Sequence, residues 1–297
     1  MGEIPFRRDL QFEYGVLETV SPLIRRIVAR NPGPFTFHGT GTYVVGRGKV
    51  AIVDPGPDIA AHVDALLQAL RGESVDKILV THTHLDHSPA AAAVKLATGA
   101  PTYGYGPHAA QLGPAVEEGG DRAFVPDHAI GDGDTVAGPG WNLTAVHTPG
   151  HTSNHLCFAL AEEQVLFSGD HVMGWSTSVI APPDGNMGDY LGSLEKLLGR
   201  DETSYLPTHG PAITDPKPFV AAFIEHRRER EAAILARLAA GDSAIPAMVQ
   251  AIYVGLDPRL HRAAARSVLA HLIQMVEQGR VVADGQPTVD ARFQLKS

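Results

Sequence analysis

The chain has 297 residues, of which 44% are apolar and 19% are charged, and its formal net charge is −9. No apolar run approaches the roughly 18 residues of a membrane span, and the first residues lack the apolar core of a secretory signal. These properties exclude a membrane-spanning or fibrous protein and predict a cytoplasmic globular protein of one or two domains.

The charge is unevenly distributed. Residues 1–217 carry 14 basic and 25 acidic side chains, or −11, whereas residues 218–297 carry 10 basic and 8 acidic side chains, or +2. The larger part is therefore a poor electrostatic match for nucleic acid. The single cysteine, Cys157, excludes an intrachain disulfide and a thiolate metal cluster, and its apolar neighbours favour a position in the core.

The predicted elements alternate between strands and helices. Residues 35–57 indicate two or three short strands, with a hairpin turn at 46–48, and residues 58–72 have helical spacing. A buried strand over 76–80 precedes a helix that we expect Ser88 to cap and Gly99 to end. Short strands follow up to about residue 172, a helical pattern returns near residue 188, and helices prevail from Pro218 onward.

Five apolar runs end directly in polar residues: "KVAIV" before Asp54, "KILV" before "THTHLDH", "LTAV" before "HTPGH", "QVLF" before "SGD", and "TSYL" before "PTHG". The carboxyl ends of strands are the usual place for ligand sites in α/β proteins. The pattern therefore predicts that seven side chains converge: His82, His84, Asp86, His87, His151, Asp170 and His209.

The stretch "THTHLDH" alone has two interpretations. Histidines sometimes cluster on a solvated loop, but imidazole and carboxylate groups also suit zinc and similar divalent ions. The position of the stretch, between a predicted strand and a predicted helix, favours a metal site.

The same motifs, in this order, resemble those of the metallo-β-lactamase superfamily over residues 31–211. The resemblance implies an α/β fold, a four-layered αββα sandwich, with two divalent ions, zinc first and iron or manganese as alternatives. It implies that the first ion is held by His82, His84 and His151, and the second by Asp86, His87 and His209. Asp170 would bridge the two ions. Asp54 would order the ligand loop by hydrogen bonds, and His155 would contact the metal ligands without binding a metal itself.

The stretch "NPGPFTFHGTGTYVVG" is similar to the opening of one branch of the superfamily, and "GHTSNH" resembles the "GHTDDH" motif of that branch. Its members carry a small helical C-terminal domain and include a mitochondrial endoribonuclease. The C-terminal sequence resembles a winged helix, which predicts a catalytic domain over 1–217 and a winged-helix-like domain over 218–297. His38 and Gly41 depart from the glutamine and asparagine that the branch commonly has, so its substrate does not transfer directly.

The resemblance implies hydrolysis by a hydroxide shared between the two ions, with Asp86 and Asp170 as catalytic groups. A small ester, thioester or lactone is the expected substrate. The alternatives are a metal-dependent endoribonuclease or phosphodiesterase, a mononuclear-iron sulfur dioxygenase, and, from another class, a nucleic-acid-binding regulator that uses the C-terminal domain.

Three side chains are candidates for the substrate pocket: His38, Trp175 and Tyr190, the last of which could equally pack into the core. The arginines of "EHRRERE" alternate with glutamates, which is typical of a solvated helix face. The recognition-like helix of the C-terminal domain, "PRLHRAAARSVLAHLIQMVEQGR", carries too few outward basic residues for a strong phosphate contact. We therefore expect the domain to act as a lid or a homodimer element, with RNA a less favoured partner and no membrane contact.

Overall fold

The computed structural model describes residues 4–109 and 119–296. Within them, seven strands form one sheet in chain order, antiparallel from β1 to β4 and parallel from β4 to β7. These strands are β1 (Glu18–Thr19), β2 (Ile24–Val28), β3 (Gly41–Val45), β4 (Lys49–Val53), β5 (Ser74–Leu79), β6 (Thr102–Gly104) and β7 (His128–Ala129).

A second sheet has the order β12-β11-β10-β9-β8, in which only β11 and β12 run parallel. Its strands are β8 (Thr135–Gly138), β9 (Trp141–His147), β10 (Leu156–Leu160), β11 (Val165–Gly169) and β12 (Ser204–Pro207). The α-helices are α1 (Ala60–Ala69), α2 (Ala90–Thr98), α3 (Met187–Leu198), α4 (Pro216–Ala239), α5 (Ile245–Ile252) and α6 (His261–Glu277). Two short 3₁₀ turns, Ala161–Glu163 and Pro258–Leu260, and a hairpin of β13 (Val281–Ala283) and β14 (Phe293–Leu295) complete the elements.

The layers follow from which side chains each sheet buries. The two sheets face each other across one core, to which Leu79 and Phe158 belong. On the outer face of the first sheet, α1 and α2 bury a second core that includes Leu66. On the outer face of the second sheet, α3 and α4 bury a third core around Leu194 and Phe223. The arrangement is the predicted αββα sandwich, which is confirmed.

The apolar runs that precede the polar segments form buried strands. The apolar run of β4 is buried from Val50 to Val53, and all of β11 is buried. Because β5 runs parallel to β4, and β12 parallel to β11, their carboxyl ends lie at a common edge of each sheet. Asp54 directly follows β4 with a left-handed φ of 50°, a backbone conformation that non-glycine residues adopt only when their surroundings hold them in it.

One local prediction is wrong. Ser88 does not cap α2, whose N-cap position is Pro89 with no side-chain cap. The hydroxyl of Ser88 instead donates to Asp121 at 2.8 Å, because this buried serine faces the ligand loop rather than the helix end. The helix does end at Gly99, whose φ of 74° is the left-handed conformation expected there.

The C-terminal part is built on α4. Phe219 and Phe223, in the first half of this helix, pack against the second sheet and α3, whereas Ile234 and Leu238 belong to a separate core. That core also contains buried faces of α5, α6 and the β13–β14 hairpin, in the predicted order of helix, longer helix and wing. Among the described residues, no helix combines the length and the apolar character needed to cross a membrane.

Candidate metal centre

Three imidazole nitrogens converge at the carboxyl edge of the sheets. His82 and His84 lie on the loop between β5 and α2, and His151 follows β9. Nδ1 of His84 lies 2.9 Å from Nε2 of His82 and 3.1 Å from Nε2 of His151. All three side chains are buried, and their nitrogens form one group of candidate metal ligands.

A second group lies beside the first. Its members are Asp86 and His87, from the same loop, and His209, which follows β12. Nε2 of His209 lies 3.0 Å from Oδ2 of Asp86, and Nε2 of His87 lies 3.4 Å from the same oxygen. The second group therefore offers two nitrogens and one carboxylate.

Asp170, at the end of β11, lies between the two groups. Its Oδ2 is 3.5 Å from Nε2 of His87 and 3.4 Å from Nε2 of His209, on one side. On the other side it is 3.9 Å from Nε2 of His151. One carboxylate thus reaches ligand atoms of both groups, as the bridging position requires.

The electrostatics of the centre favour cations. Burial and the neighbouring imidazoles hold the pKa of His82 and His84 well below its usual value, so both rings are neutral and have a lone pair to donate. Burial opposes a charge on His209, but the carboxylates of Asp170 and Asp86 outweigh it and raise its pKa to about 10. Although burial would raise the pKa of Asp170, His209 and His87 hold it well below its ordinary value.

Two buried polar atoms of the centre have no hydrogen-bond partner, which bears on whether the centre fits metal ions. Nε2 of His87 and Oδ1 of Asp170 are both buried and have no hydrogen-bond partner. An unsatisfied buried polar atom costs about 1–3 kcal/mol, so such atoms at a shared centre need a ligand. Five imidazole nitrogens and two carboxylates are a donor set that suits zinc, and these residues therefore fit two divalent ions.

Asp54 holds the ligand loop in place through hydrogen bonds. Its Oδ1 accepts a hydrogen bond from the amide of Thr81 at 2.7 Å, and its Oδ2 accepts from the hydroxyls of Thr81 at 2.8 Å and Thr208 at 3.0 Å. The same Oδ2 lies 2.9 Å from Nδ1 of His87, which turns Nε2 of that ring toward the centre. This is the ordering contribution expected of Asp54.

Other contacts fix the remaining ligands. Nδ1 of His151 donates to the carbonyl of Val179 at 2.6 Å, and Nδ1 of His209 donates to that of Gly39 at 3.1 Å. Nε2 of His155 accepts from the amide of Asp170 at 3.2 Å, which places this histidine behind the bridge. Sequence reasoning missed both carbonyls, because any residue supplies one, but Thr81 and Thr208 were visible beside the ligands in "THTH" and "PTHG".

A narrow cleft leads to the centre, and nine described residues line it: Pro34, Phe35, His151, Asp170, Met173, Trp175, Ser176, Thr177 and Val179. Trp175 thus lies in the cleft wall. The prediction for Tyr190 as a pocket residue is wrong, because α3 turns its ring into the core at 0% exposure, where its hydroxyl donates to the carbonyl of His171. His38 is not among the lining residues; its ring packs against Phe12 and Phe37.

A second cavity of about 160 Å³ adjoins this cleft and shares five lining residues with it: Pro34, Phe35, Ser176, Thr177 and Val179. Its far wall is formed by the C-terminal part, mainly by small and apolar side chains of α6 and the segment before it, which include Leu256, Leu260, Ala263 and Ala264. The two spaces therefore share one wall, and the C-terminal part, together with Arg227 of α4, encloses the second of them.

Comparison with known proteins agrees with this architecture. The chain is 34% identical over 227 residues to a β-lactamase-like protein 2 homolog of Caenorhabditis elegans, covering 74% of this chain and 72% of the relative. It is 32% identical over 226 residues to an atrochrysone carboxyl ACP thioesterase of Aspergillus novofumigatus, covering 73% of this chain and 63% of that protein. A β-lactamase domain protein from Burkholderia ambifaria superposes with a TM-score of 0.81 at 20% identity, over 97% of this chain and 96% of that one.

Two family profiles divide the chain as the structure does. Residues 244–291 match the β-lactamase associated winged helix domain, a range that covers α5, α6 and β13. Residues 36–209 match the metallo-β-lactamase superfamily, a segment that holds all seven candidate ligands. With the fold and the relatives in agreement, the chain belongs to the metallo-β-lactamase superfamily.

Proposed function

We propose that this metal-dependent hydrolase cleaves a small thioester, ester or lactone, and that it uses two zinc ions held by the two ligand groups. The observation that carries the proposal is the position of Asp170, whose carboxylate lies within 3.9 Å of ligand nitrogens from both groups. When bound, the two ions would supply Lewis acidity for a carbonyl oxygen and lower the pKa of water toward neutrality.

Asp86 is suited to orienting the attacking water. Its side chain keeps 21% exposure, whereas that of His87 is fully buried and that of Asp170 keeps 10%, so its carboxylate is the more accessible of the two in the centre. The pKa of Asp86 lies below its ordinary value, because His87 and His209 outweigh the effect of burial. The carboxylate therefore accepts a hydrogen bond from water and holds it against the carbonyl carbon of the substrate.

The cleft at the metal centre favours a compact carbonyl substrate over a polyanion. Among the residues that line the cleft, none is a lysine or an arginine, and Phe35, Met173 and Trp175 supply apolar surface. Single-stranded nucleic acids are usually held by basic grooves interleaved with aromatic residues. The relative named as a thioesterase supports an acyl substrate. We propose that the C-terminal part encloses the acyl group of the substrate instead of reading nucleic acid.

The test compares substrate classes on one zinc-loaded preparation. Acyl thioesters of N-acetylcysteamine, p-nitrophenyl esters, lactones and a single-stranded RNA should be assayed side by side, with Asp170→Ala as the control for contaminating enzymes. We expect kcat/KM for the best carbonyl substrate to exceed that for RNA at least tenfold, about 1.4 kcal/mol in activation free energy. RNA cleavage that vanishes in Asp170→Ala, without turnover of any carbonyl substrate, would reverse the assignment.

A further inference from the structure

Arg227, on α4, is a buried cation outside the metal centre. It is 3% exposed and forms no ion pair with an acidic side chain in the described parts of the chain. Its neighbour Arg228 has the solvated position predicted for this segment, with a side chain that is 64% exposed and 3.9 Å from Glu195. Burying a guanidinium without a counter-ion is costly, so packing alone is a poor explanation for Arg227.

The guanidinium of Arg227 has two partners in the catalytic domain. Nη2 donates to the carbonyl of Ser178 at 2.5 Å, and the group lies over the ring of Tyr190, 5.1 Å from its centroid. A short, charge-assisted hydrogen bond and a cation–π contact both restrict the partner's position. Arg227 therefore restricts the position of both the loop at Ser178 and the ring of Tyr190.

Both partners bond to backbone carbonyls at the bridging aspartate or the residue after it. The hydroxyl of Ser178 lies 2.5 Å from the carbonyl of Asp170 and 2.8 Å from that of His171, and the hydroxyl of Tyr190 donates to the latter at 2.9 Å. These contacts hold the turn after β11 from which the Asp170 carboxylate projects.

The same loop also holds a ligand of the first group. Val179, the residue after Ser178, accepts the hydrogen bond from Nδ1 of His151 at 2.6 Å. A carbonyl that accepts this bond fixes the orientation of the imidazole and raises its basicity as a ligand. Two hydrogen bonds thus link Arg227 to His151, through the backbone of Ser178 and Val179. Two hydrogen bonds also link it to Asp170, through Ser178.

We infer that Arg227 is a positioning residue for the metal centre, and that it fixes the Ser178–Val179 loop so that Asp170 and His151 present their ligand atoms correctly. The inference makes α4, the helix shared by the catalytic and C-terminal parts, a determinant of metal affinity. Arg227 and Ser178 also line the cavity beside the cleft, so the test measures zinc affinity, which does not depend on the substrate proposed above.

Zinc affinity, measured by competition with a chromophoric chelator, tests this role directly. Arg227→Met, which keeps the length of the stem, should weaken the binding of at least one zinc ion by about 10-fold. This is the lower end of the effect of removing a direct partner of a metal ligand, because Arg227 reaches the ligands only through the Ser178–Val179 loop. Arg227→Lys, which keeps a charged donor for the Ser178 carbonyl but not the planar group over Tyr190, should lose clearly less zinc affinity than Arg227→Met. Arg228→Met is the matched control on the same helix turn and should match the wild type.

Ser178→Ala provides a second route to the same test, since it removes only a hydroxyl and is compatible with folding. It should weaken zinc binding in the same direction as Arg227→Met. Because both act through one loop, the double variant should lose clearly less than the product of the two single losses. Zinc affinities within twofold of wild type in Arg227→Met or Ser178→Ala, with only a lower Tm of the metal-free protein, would reduce Arg227 to a packing residue and overturn the inference.

Discussion

Nδ1 of His87 lies 2.9 Å from Oδ2 of Asp54, although 33 residues separate the two in the sequence. The contact joins the end of β4 to the ligand loop after β5 and leaves Nε2 of His87 facing the centre. Because Asp54 also accepts from Thr81 and Thr208, one buried carboxylate sets the relative position of three strand ends.

Asp54→Ala should therefore weaken zinc binding and kcat/KM by about 10–100-fold without removing a ligand. The Thr81 amide and the Thr208 hydroxyl would lose a buried partner, so we also expect a lower Tm. Thr208→Val is the matched control, because it removes one of the four contacts and should have a smaller effect on both quantities. Metal titration and thermal unfolding check the prediction; full zinc affinity in Asp54→Ala would contradict it.

Asp170→Ala should have a larger effect than Asp54→Ala, because its carboxylate is the group within reach of both ligand sets. We expect loss of at least one bound ion and loss of measurable turnover. Elemental analysis of the purified variant and single-turnover assays provide the measurement. If Asp170→Ala and Asp54→Ala behaved alike, the bridging assignment would be wrong.

Much of the metal centre was predictable because its signals are local. The candidate ligands lie in short polar segments that follow apolar runs, and runs of this kind are typical of strands that are buried on both faces. The placement of Asp170, His209 and the "THTHLDH" loop at the sheet edges needed only that pattern and the parallel pairing of neighbouring strands.

The residues that sequence reasoning misplaced depend on packing between distant segments. Tyr190 follows a glycine-rich loop and resembles a pocket residue, but the third core buries its ring. Arg227 has the alternating charges of a solvated face, and only the packing of α4 against α3 separates it from exposed Arg228. The burial of Tyr190 and Arg227 could not be predicted from nearby residues, because the segments that pack on a helix face are distant in the sequence.

The number of bound ions is a separate prediction. Two candidate ligand groups and a shared carboxylate predict two divalent ions per chain, which we propose to be zinc, in the fully active protein. Removal of metal by a chelator should abolish turnover, and titration of zinc into the metal-free protein should restore it with an end point near two equivalents. Iron or manganese that restores higher activity than zinc would change the assigned metal, and full activity at one equivalent would exclude the shared bridge.

The cavity beside the cleft should determine which acyl groups are accepted. Ala263 lines its far wall, so Ala263→Leu places extra volume where we expect the end of a longer acyl chain. The ratio of kcat/KM for octanoyl to acetyl thioesters should fall about tenfold or more, since crowding a pocket by a few methyl groups costs about 1–3 kcal/mol. Ala247→Leu, at an exposed position on α5, is the matched control. An unchanged ratio in Ala263→Leu would exclude this cavity as an acyl site.

The last prediction concerns acid sensitivity. His271, on α6, is 1% exposed, and neither ring nitrogen has a hydrogen-bond partner. Burial and then the charge of Arg227 lower its pKa to about 3. In the unfolded chain this histidine binds a proton below its ordinary pKa of 6.5, whereas in the folded chain it stays neutral until about pH 3. Between these values the unfolded state binds more protons, so the stability of the fold falls as the pH falls.

His271→Leu should remove this contribution. The free energy of unfolding of the metal-free protein, measured by urea titration between pH 7 and pH 4, should fall less steeply in the variant than in the wild type. For one group the difference in slope is at most about 1.4 kcal/mol per pH unit. Gln278→Leu, at an exposed position just after the same helix, controls for added apolar volume and should keep the wild-type slope. Parallel curves for His271→Leu and the wild type would show that His271 is not the group that titrates on unfolding.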